Sequence, residues 1–437
     1  MVQRPKLKTA LDAIGEWFEA LQAGAQPPAG GVSPLAEVVF GDVQEGTLYF
    51  TGTEGEQYRH CLASLQEAVS DTDAVSARAV ELAFQRALFV AFDIPKARSS
   101  DPRVRYEEAL RSLEKFLTSP LQHFRVVVPV NDLAKEGLPT KVGSVTFAVF
   151  GEDQVNDFRA AATHWSRTDK ERREQLDILT HSGLGKDLDA KTVAIVDVEA
   201  VDWVAAESRG IREVRLTLDV INFFGELVPY NYAHLSLPGD SARVKLPVAQ
   251  LREEQGRWVQ YHVDTRWVGS MGELSLPKLR DRDARVRLGF AYASGLLGSH
   301  RMKLQDRLVA ALQWAGRAAV DIRKEEAFLL YAIALEGFIL AEGETQELTY
   351  RLRLRVAHLL GGTPEARRDL FAKVKHLYGI RSKIVHSGHY QVTDGDFGLI
   401  RALTTGALVR VCTLEEFTEI STPEELVLWF ETKLLGE

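Results

Sequence analysis

Arg381, Ser382 and His386 have the residue types and the spacing for phosphate chemistry. A guanidinium can hold a phosphate through two parallel hydrogen bonds, and an imidazole takes up or releases a proton near neutral pH. A Ser-Gly pair at 387–388 directly follows the histidine and is typical of the end of a helix. The stretch 377–389 therefore predicts a phosphate site with acid–base capacity at the end of a long helix.

The Arg-x4-His pattern by itself carries little information, because the chain contains it four times. The other three pairs, which we interpret as surface or packing residues, are Arg159/His164, Arg257/His262 and Arg353/His358. Five residues turn a regular helix through about 140°, so Arg381 and His386 do not share a face, whereas Ser382 and His386 do. The first two converge within one chain only if the helix ends or distorts near the histidine, which the following glycine permits.

The charge distribution favours a local site within an acidic protein. The chain has 437 residues and a net charge of -8, which argues against a general nucleic-acid coat. Residues 367–389 nevertheless contain one acid, Asp369, and many cations and histidines: Arg367, Arg368, Lys373, Lys375, His376, Arg381, Lys383, His386 and His389. The residues alone also allow two structural interpretations, a solvated helix face or cations favoured by the dipole at a helix end.

The elements around this stretch are predicted to be helical from about residue 300 onward. Apolar spacing and cap residues predict helices at 303–320, 323–342, 346–360, 364–386, 395–415 and 423–435. Thr-Pro-Glu sequences at 363–365 and 422–424 each supply a cap, a proline at the first helical position and an acid in the first turn. Short connections between these helices predict an antiparallel bundle.

The N-terminal part mixes helices and strands, so we predict an α+β fold with three regions. Residues 1–123 are predicted to be mostly helical, at 7–24, 56–70, 74–93 and 103–118, with a hairpin formed by 36–40 and 47–51. Residues 124–298 are predicted to contain helices at 152–179 and 199–224, and strands at 124–130, 144–150, 192–198, 243–248, 258–263 and 284–294. Residues 299–437 are predicted to form the all-α bundle.

Several function classes are disfavoured by what the sequence lacks. The glycine-rich run 181–187 has no glycine at the required upstream position and has Asp187 where a phosphate loop needs Ser or Thr. Serine-hydrolase and zinc motifs are absent, so we expect no metal and no cofactor. Cys61 and Cys412 are distant in sequence and predict a reducing cytoplasm, and neither a signal peptide nor a membrane span is expected. Core packing is expected for Trp165, Trp203, Trp258 and Trp267.

Three blocks in the C-terminal region resemble a known family. They are Ala-Leu-Glu-Gly at 334–337, Glu-Leu-Thr-Tyr-Arg-Leu at 347–352 and Leu-Tyr-x-x-Arg-Ser-Lys-Ile-Val-His-Ser-Gly at 377–388. In this order on helices, they are similar to the Apea-like branch of the HEPN superfamily, over about residues 300–437. The resemblance implies a helical bundle that dimerises and brings two Arg-x4-6-His motifs into one cleft.

The resemblance also implies a function. Many HEPN proteins are metal-independent endoribonucleases of toxin, abortive-infection and antiviral systems. By similarity, Arg381, Ser382 and His386 would be catalytic, and the 2′-hydroxyl of RNA would attack to leave 2′,3′-cyclic phosphate and 5′-OH ends. Glu336 on the facing helix is a candidate orienting residue. Further candidates for orienting or binding substrate are Tyr378, Lys375, Lys383 and His389.

Two functions are therefore expected from different classes. The first is a cytoplasmic, dimeric HEPN endoribonuclease with RNA as substrate and with an unknown trigger or regulator acting on the N-terminal region. The alternative is a non-catalytic HEPN module that binds nucleic acid, a nucleotide or a partner protein.

Overall fold

The structure is a computed structural model that describes residues 4–24, 38–42, 46–50, 52–69, 74–92, 101–151, 156, 191–228, 233–238, 244–254, 257–268, 272–281, 283–321, 323–340, 347–387 and 391–435. The helices are α1 (Arg4–Gly24), α2 (Gly52–Val69), α3 (Ala77–Ala91), α4 (Pro102–Leu117), α5 (Trp203–Glu226), α6 (Leu276–Asp281), α7 (Ala284–Leu297), α8 (Lys303–Val320), α9 (Lys324–Ile339), α10 (Leu348–Leu360), α11 (Pro364–Ser387), α12 (Asp394–Thr413), α13 (Glu415–Thr418) and α14 (Pro423–Leu435). The strands are β1 (Val38–Asp42), β2 (Gly46–Phe50), β3 (Gln122–Pro129), β4 (Thr140–Val142), β5 (Val145–Val149), β6 (Thr192–Ala200), β7 (Val244–Glu254) and β8 (Arg257–Val268).

These elements form an α+β fold, as the sequence predicted. The strands form one four-stranded antiparallel sheet, in the order β3-β6-β5-β4, and two separate hairpins, β1-β2 and β7-β8. The six helices predicted after residue 300 are observed within a few residues of their expected ends. No described residue between 299 and 435 belongs to a strand.

The chain packs as two compact units. One comprises Met1–Val126 with Asp197–Arg212, and the other comprises Val127–Val196 with Glu213–Glu437. The candidate site residues fall in the second unit. The three-region division at 123/124 and 298/299 stays a prediction.

An aromatic core holds the first unit together. Trp17 and Phe18 of α1 are buried with Phe50, Tyr58 and Phe84 from β2, α2 and α3. Ring centroids lie 5.3 Å apart for Tyr58 and Phe84, and 5.4 Å apart for Trp17 and Phe50. Burial of such rings is the main favourable term in the folding of a helical unit, since each removes a large apolar area from water. The β1-β2 hairpin that contributes Phe50 confirms the predicted hairpin.

The second unit is built around α9, which is buried on most sides. Phe328, Tyr331, Leu335 and Phe338 are each at most 2% exposed. α9 packs against α8, α12, α10 and α11, and α10 also packs on α11. A helix that is apolar all round is stable only inside such a bundle.

One predicted strand is wrong. Residues 284–294 belong to α7, in which Val286, Phe290, Ala293 and Leu297 are buried at helical spacing. A short apolar run does not distinguish the two structures by periodicity, and the decisive signal was Asp283, whose carboxylate caps α7 by accepting from the Arg285 N–H at 2.9 Å.

Other differences concern the limits of elements, the exposure of one tryptophan, and predictions that lie outside the described residues. α5 begins at Trp203 rather than at 199, because Asp202 caps it by accepting from Val204 N–H and Ala205 N–H. Trp203, expected in a core, is 72% exposed. The predicted strands at 243–248 and 258–263 are longer and form one hairpin with a bulge at Arg252/Glu253. The predicted helix at 152–179, apart from Asn156, and the run 181–187 lie outside the described residues.

A glycine sets the approach of α5 and α8. A Cβ added at Gly316 would lie 1.8 Å from the backbone oxygen of Asp219. No side chain fits there unless the two helix backbones separate. The contact is therefore a steric requirement of the second unit.

We expect Gly316→Ala to lower the free energy of unfolding by about 2 kcal/mol or more, because it overpacks this contact. Gly398→Ala is the matched control, since an added Cβ at this exposed glycine of α12 meets nothing within 4 Å. The control variant should gain up to about 1 kcal/mol from helix propensity. Urea unfolding of both variants measures the difference, and equal effects would contradict the steric explanation.

The Asp219 carboxylate lies at the same contact and is mostly buried. It forms an ion pair with Arg317, whose Nε lies 3.2 Å from Oδ2. Burial raises the pKa of Asp219 from 3.8 to about 6, although Arg317 opposes the rise. The folded state therefore favours the protonated form, so the stabilisation is present below the unfolded pKa and is lost as pH rises through 6.

We expect Asp219→Asn to remove this pH dependence. Raising the pH from about 4.5 to 7 should lower the stability of the wild type by about 2 kcal/mol more than that of the variant. Unfolding free energies of both proteins at the two pH values measure this double difference. If this double difference is zero or has the opposite sign, burial does not disfavour the ionised form of Asp219 in the folded protein.

Candidate active site

The motif residues lie on α11, whose limits follow from its sequence. Thr363 caps the helix by accepting from Ala366 N–H at 3.2 Å, and Pro364 takes the first helical position. Val374, Leu377 and Ile380 are buried and fix the inward side of the helix. The predicted limits 364–386 are thus confirmed by Pro364–Ser387.

Arg381 faces α9 at the edge of the bundle. Its Nε lies 3.2 Å from Oε1 of Glu336, and the two side chains are 32% and 20% exposed. Neither of these two atoms makes an aligned hydrogen bond within the described residues. The contact is therefore an ion pair held by proximity, which partial burial makes stronger than a pair at the open surface.

Tyr378 completes this group. It hydrogen-bonds to Glu336, and the Arg381 guanidinium carbon lies 5.9 Å from the centroid of its ring. Burial and the negative charge of Glu336 raise the pKa of Tyr378 well above 10. The tyrosine therefore remains a neutral donor at physiological pH and helps to hold the Glu336 carboxylate next to Arg381.

A small cavity lies beneath this group. It has a volume of about 10 Å³ and is lined mainly by apolar side chains, among them Leu335, Leu352 and Leu377. This is about the space of one water molecule. A nucleotide cannot enter it, so a phosphate that reaches Arg381 must approach from the surface of the bundle.

His386 lies in the last turn of α11 and is exposed, as is Ser382 one turn earlier. The helix continues through Ser387, so the histidine does not leave the helical surface. Arg381 and His386 therefore project about 140° apart. Within one chain, the described structure does not bring the two candidate catalytic side chains together, and their catalytic roles stay predictions.

The remaining candidates lie at different places. Lys375 and Lys383 are exposed on α11. His389 lies outside the described residues, as does the pair Arg159/His164. Arg257 and His262 lie on β8, but the structure does not describe their side chains.

Arg353 and His358 of α10 take part in packing between helices or are partly buried. The Arg353 guanidinium lies 3.8 Å from the centroid of the Phe371 ring and donates from Nε to the Phe371 carbonyl at 3.1 Å. Burial and the nearby charge of Arg367 lower the pKa of His358. Arg353 therefore packs α10 on α11, in line with the packing role expected for this pair.

Two arginines that hold the site in place were not predicted. Arg307 of α8 and Arg355 of α10 donate to the last carbonyl groups of α9, directly after Glu336. Arg355 was detectable in principle, because it lies in an otherwise apolar stripe with Leu352, Val356 and Leu359. Arg307 left no comparable signal.

Comparisons with known proteins add no relative, since no family model, no curated protein and no solved structure matches this chain. Among the described helices, none is long and apolar enough to cross a bilayer. Within the same part of the chain, no three His, Cys, Asp or Glu side chains are grouped so that they could hold a metal ion.

We expect Glu336→Ala to lower the free energy of unfolding by about 1–2 kcal/mol, because it leaves the Arg381 guanidinium and the Tyr378 hydroxyl partly buried without their shared partner. Ser382→Ala, on the exposed side of α11, should change the free energy of unfolding by less than about 0.5 kcal/mol.

The double variant Glu336→Ala/Arg381→Ala tests whether the two side chains interact. A coupling free energy of about 1 kcal/mol in this double-mutant cycle is the expected result. Strict additivity would show that their proximity contributes nothing.

Proposed function

We propose that this protein is a metal-independent endoribonuclease of the HEPN type. One observation carries the proposal: the three resembling sequence blocks lie on consecutive helices that pack together, and Glu336 of α9 contacts Arg381 of α11. Three short blocks that are separated in sequence thus lie together in the fold. A chance resemblance of three unrelated segments gives no reason to expect this.

The chemistry follows from the side chains. RNA carries its own nucleophile, so His386 has only to accept the 2′-hydroxyl proton or to donate one to the leaving 5′-oxygen. The 2′-oxygen forms a new bond to phosphorus as the bond to the 5′-oxygen breaks, giving a cyclic phosphate and a 5′-OH. Arg381 stabilises the charge that develops on the non-bridging oxygens. Ser382 lies on the same exposed face of α11 as His386 and places its hydroxyl group beside the histidine.

The directions of Arg381 and His386 favour a site shared between copies of the chain. The two side chains point about 140° apart on one helix, so one phosphate meets both only if a second copy supplies one of them. We therefore propose a homodimer through the C-terminal bundle, as the HEPN resemblance implies. A cytoplasmic role in antiviral defence, with residues 1–298 responding to a trigger, completes the proposal.

A second candidate function is a non-catalytic module that binds nucleic acid, a nucleotide or a partner protein. The Arg381–Glu336 ion pair favours it, because a guanidinium that is already paired and two-thirds covered gives less charge to a transition state. In that case phosphate affinity would depend on cations of α11, and no strand scission would occur.

Cleavage of total RNA in EDTA distinguishes these functions. We expect the wild type to cut RNA and His386→Ala to be at least a hundredfold slower, as expected on loss of a general acid or base. His376→Ala is the matched control, because this second histidine of α11 is bound to Asp396, with Nε2 2.7 Å from Oδ1. The control should retain wild-type activity, and end-group analysis should find cyclic phosphates.

Two outcomes would contradict the ribonuclease. Equal scission by wild type and His386→Ala would show that His386 takes no part in the reaction. Cleavage of a fully 2′-deoxy substrate at a comparable rate would exclude attack by the 2′-hydroxyl. Circular dichroism of each variant establishes that a lost activity does not reflect misfolding.

A further inference from the structure

An exposed strip on the outer side of α11, beside α10, combines a cation, a histidine and an aromatic ring. We define the α11 strip as Lys375, Ser382 and His386 with Tyr350 of α10. The three α11 residues are separated by seven and four positions, which places them on one side of the helix. Lys375 and His386 are about 17 Å apart along the axis, at 1.5 Å per residue.

The charges around the strip leave Lys375 available. The acids of this helix are already paired, Glu365 with Arg368 at 3.0 Å and Asp369 with Lys373 at 2.7 Å. Lys375 is exposed, and no ion pair in the described part of the chain includes it. The strip therefore presents positive charge in a protein whose net charge is -8.

Tyr350 is an aromatic surface held in a fixed position. It is 49% exposed, and its ring packs edge-on against Phe371 of α11, with centroids 5.7 Å apart. Arg353 lies over that same phenylalanine ring and fixes it in turn. A half-exposed ring that is already ordered can stack on a planar group without a large loss of side-chain entropy.

We propose that the α11 strip binds single-stranded RNA. Tyr350 stacks on an unpaired base, Lys375 contacts a backbone phosphate, and the strand continues along α11 toward His386. Bases in a duplex are already stacked and cannot reach such a ring, so the strip selects single strands. The part of this inference that leads the strand to His386 rests on the proposed function. The binding test itself does not require cleavage.

The test uses the full-length protein and a fluorescent single-stranded oligonucleotide with 2′-O-methyl groups, which lacks the nucleophile and is not cut. Anisotropy over a range of NaCl concentrations gives the dissociation constant and its salt dependence. Tyr350→Leu should weaken binding about tenfold and leave the salt slope unchanged, whereas Tyr350→Phe should stay within about twofold of wild type. Lys375→Gln should weaken binding and reduce the slope by about 0.7, as expected on loss of one phosphate contact.

Lys373→Gln is the matched control, because Lys373 lies on the same helix but is paired with Asp369. It should change the dissociation constant by less than about twofold. Absence of binding by the wild type, equal affinities in all variants, or equal affinity for a duplex would each overturn the proposal. A surface that binds a protein partner instead of RNA would give the first of these outcomes, absence of oligonucleotide binding. Thermal unfolding of each variant checks that the bundle is intact.

The binding and cleavage tests separate the two proposals. Oligonucleotide binding that depends on Tyr350 and Lys375, without scission of total RNA, would support the strip and would show that the protein is not an active nuclease in the absence of a trigger. Scission that depends on His386, at unchanged rates in Tyr350→Leu and Lys375→Gln at subsaturating RNA, would support the nuclease and reject the strip.

Discussion

The C-terminal end of α9 is the constraint on which the candidate site depends. The last four carbonyl groups of a helix lack partners within it, and burying them unpaired is costly. Here Arg307 donates to the carbonyls of Gly337, Phe338 and Leu340, and Arg355 donates to that of Ile339 at 3.1 Å. Two positive charges thus meet the negative end of the helix dipole, in the turn that follows Glu336.

Arg355 shows what this arrangement requires. Its side chain is 6% exposed, and its guanidinium lies 5.7 Å from the centroid of the Phe430 ring of α14. A buried guanidinium is tolerated only when carbonyls and neighbouring rings replace its hydration. α10 and α14 are therefore fixed to the same point as α9. The position of Glu336 is in turn determined by three other helices, which leaves the carboxylate little freedom to move relative to Arg381.

A second polar group fixes the middle of α9. Tyr331 donates to Oε2 of Glu226 at 2.6 Å, and Nε of Arg401 lies 2.9 Å from Oε1 of the same carboxylate. Burial raises the pKa of Glu226, and these two partners oppose that rise. α9 is therefore tied at its centre to α5 and α12 and at its end to α8 and α10. Such multiple attachment is what a preorganised electrostatic site needs, because donors that are already oriented cost no reorganisation during a reaction.

The amino-acid sequence by itself determined the helices of the C-terminal half. Thr363 and Pro364 begin α11 through local backbone chemistry, and local signals of this kind need no tertiary partner. The strand predicted at 284–294 is wrong because a short apolar run has no unique period, whereas Asp283 caps a helix there. The motif positions on α11, and the face shared by Ser382 and His386, also followed from helix geometry alone.

Only the tertiary structure decided which partners those side chains have. Arg381 turns inward to Glu336 while His386 faces solvent, Arg355 is buried under the end of α9, and Tyr350 keeps an exposed ring against Phe371. Each of these outcomes depends on which helix packs on which face, and thus on residues tens of positions apart. Helical periodicity states which residues share a side, but burial and ion pairing are set by contacts between helices, which the local sequence does not encode.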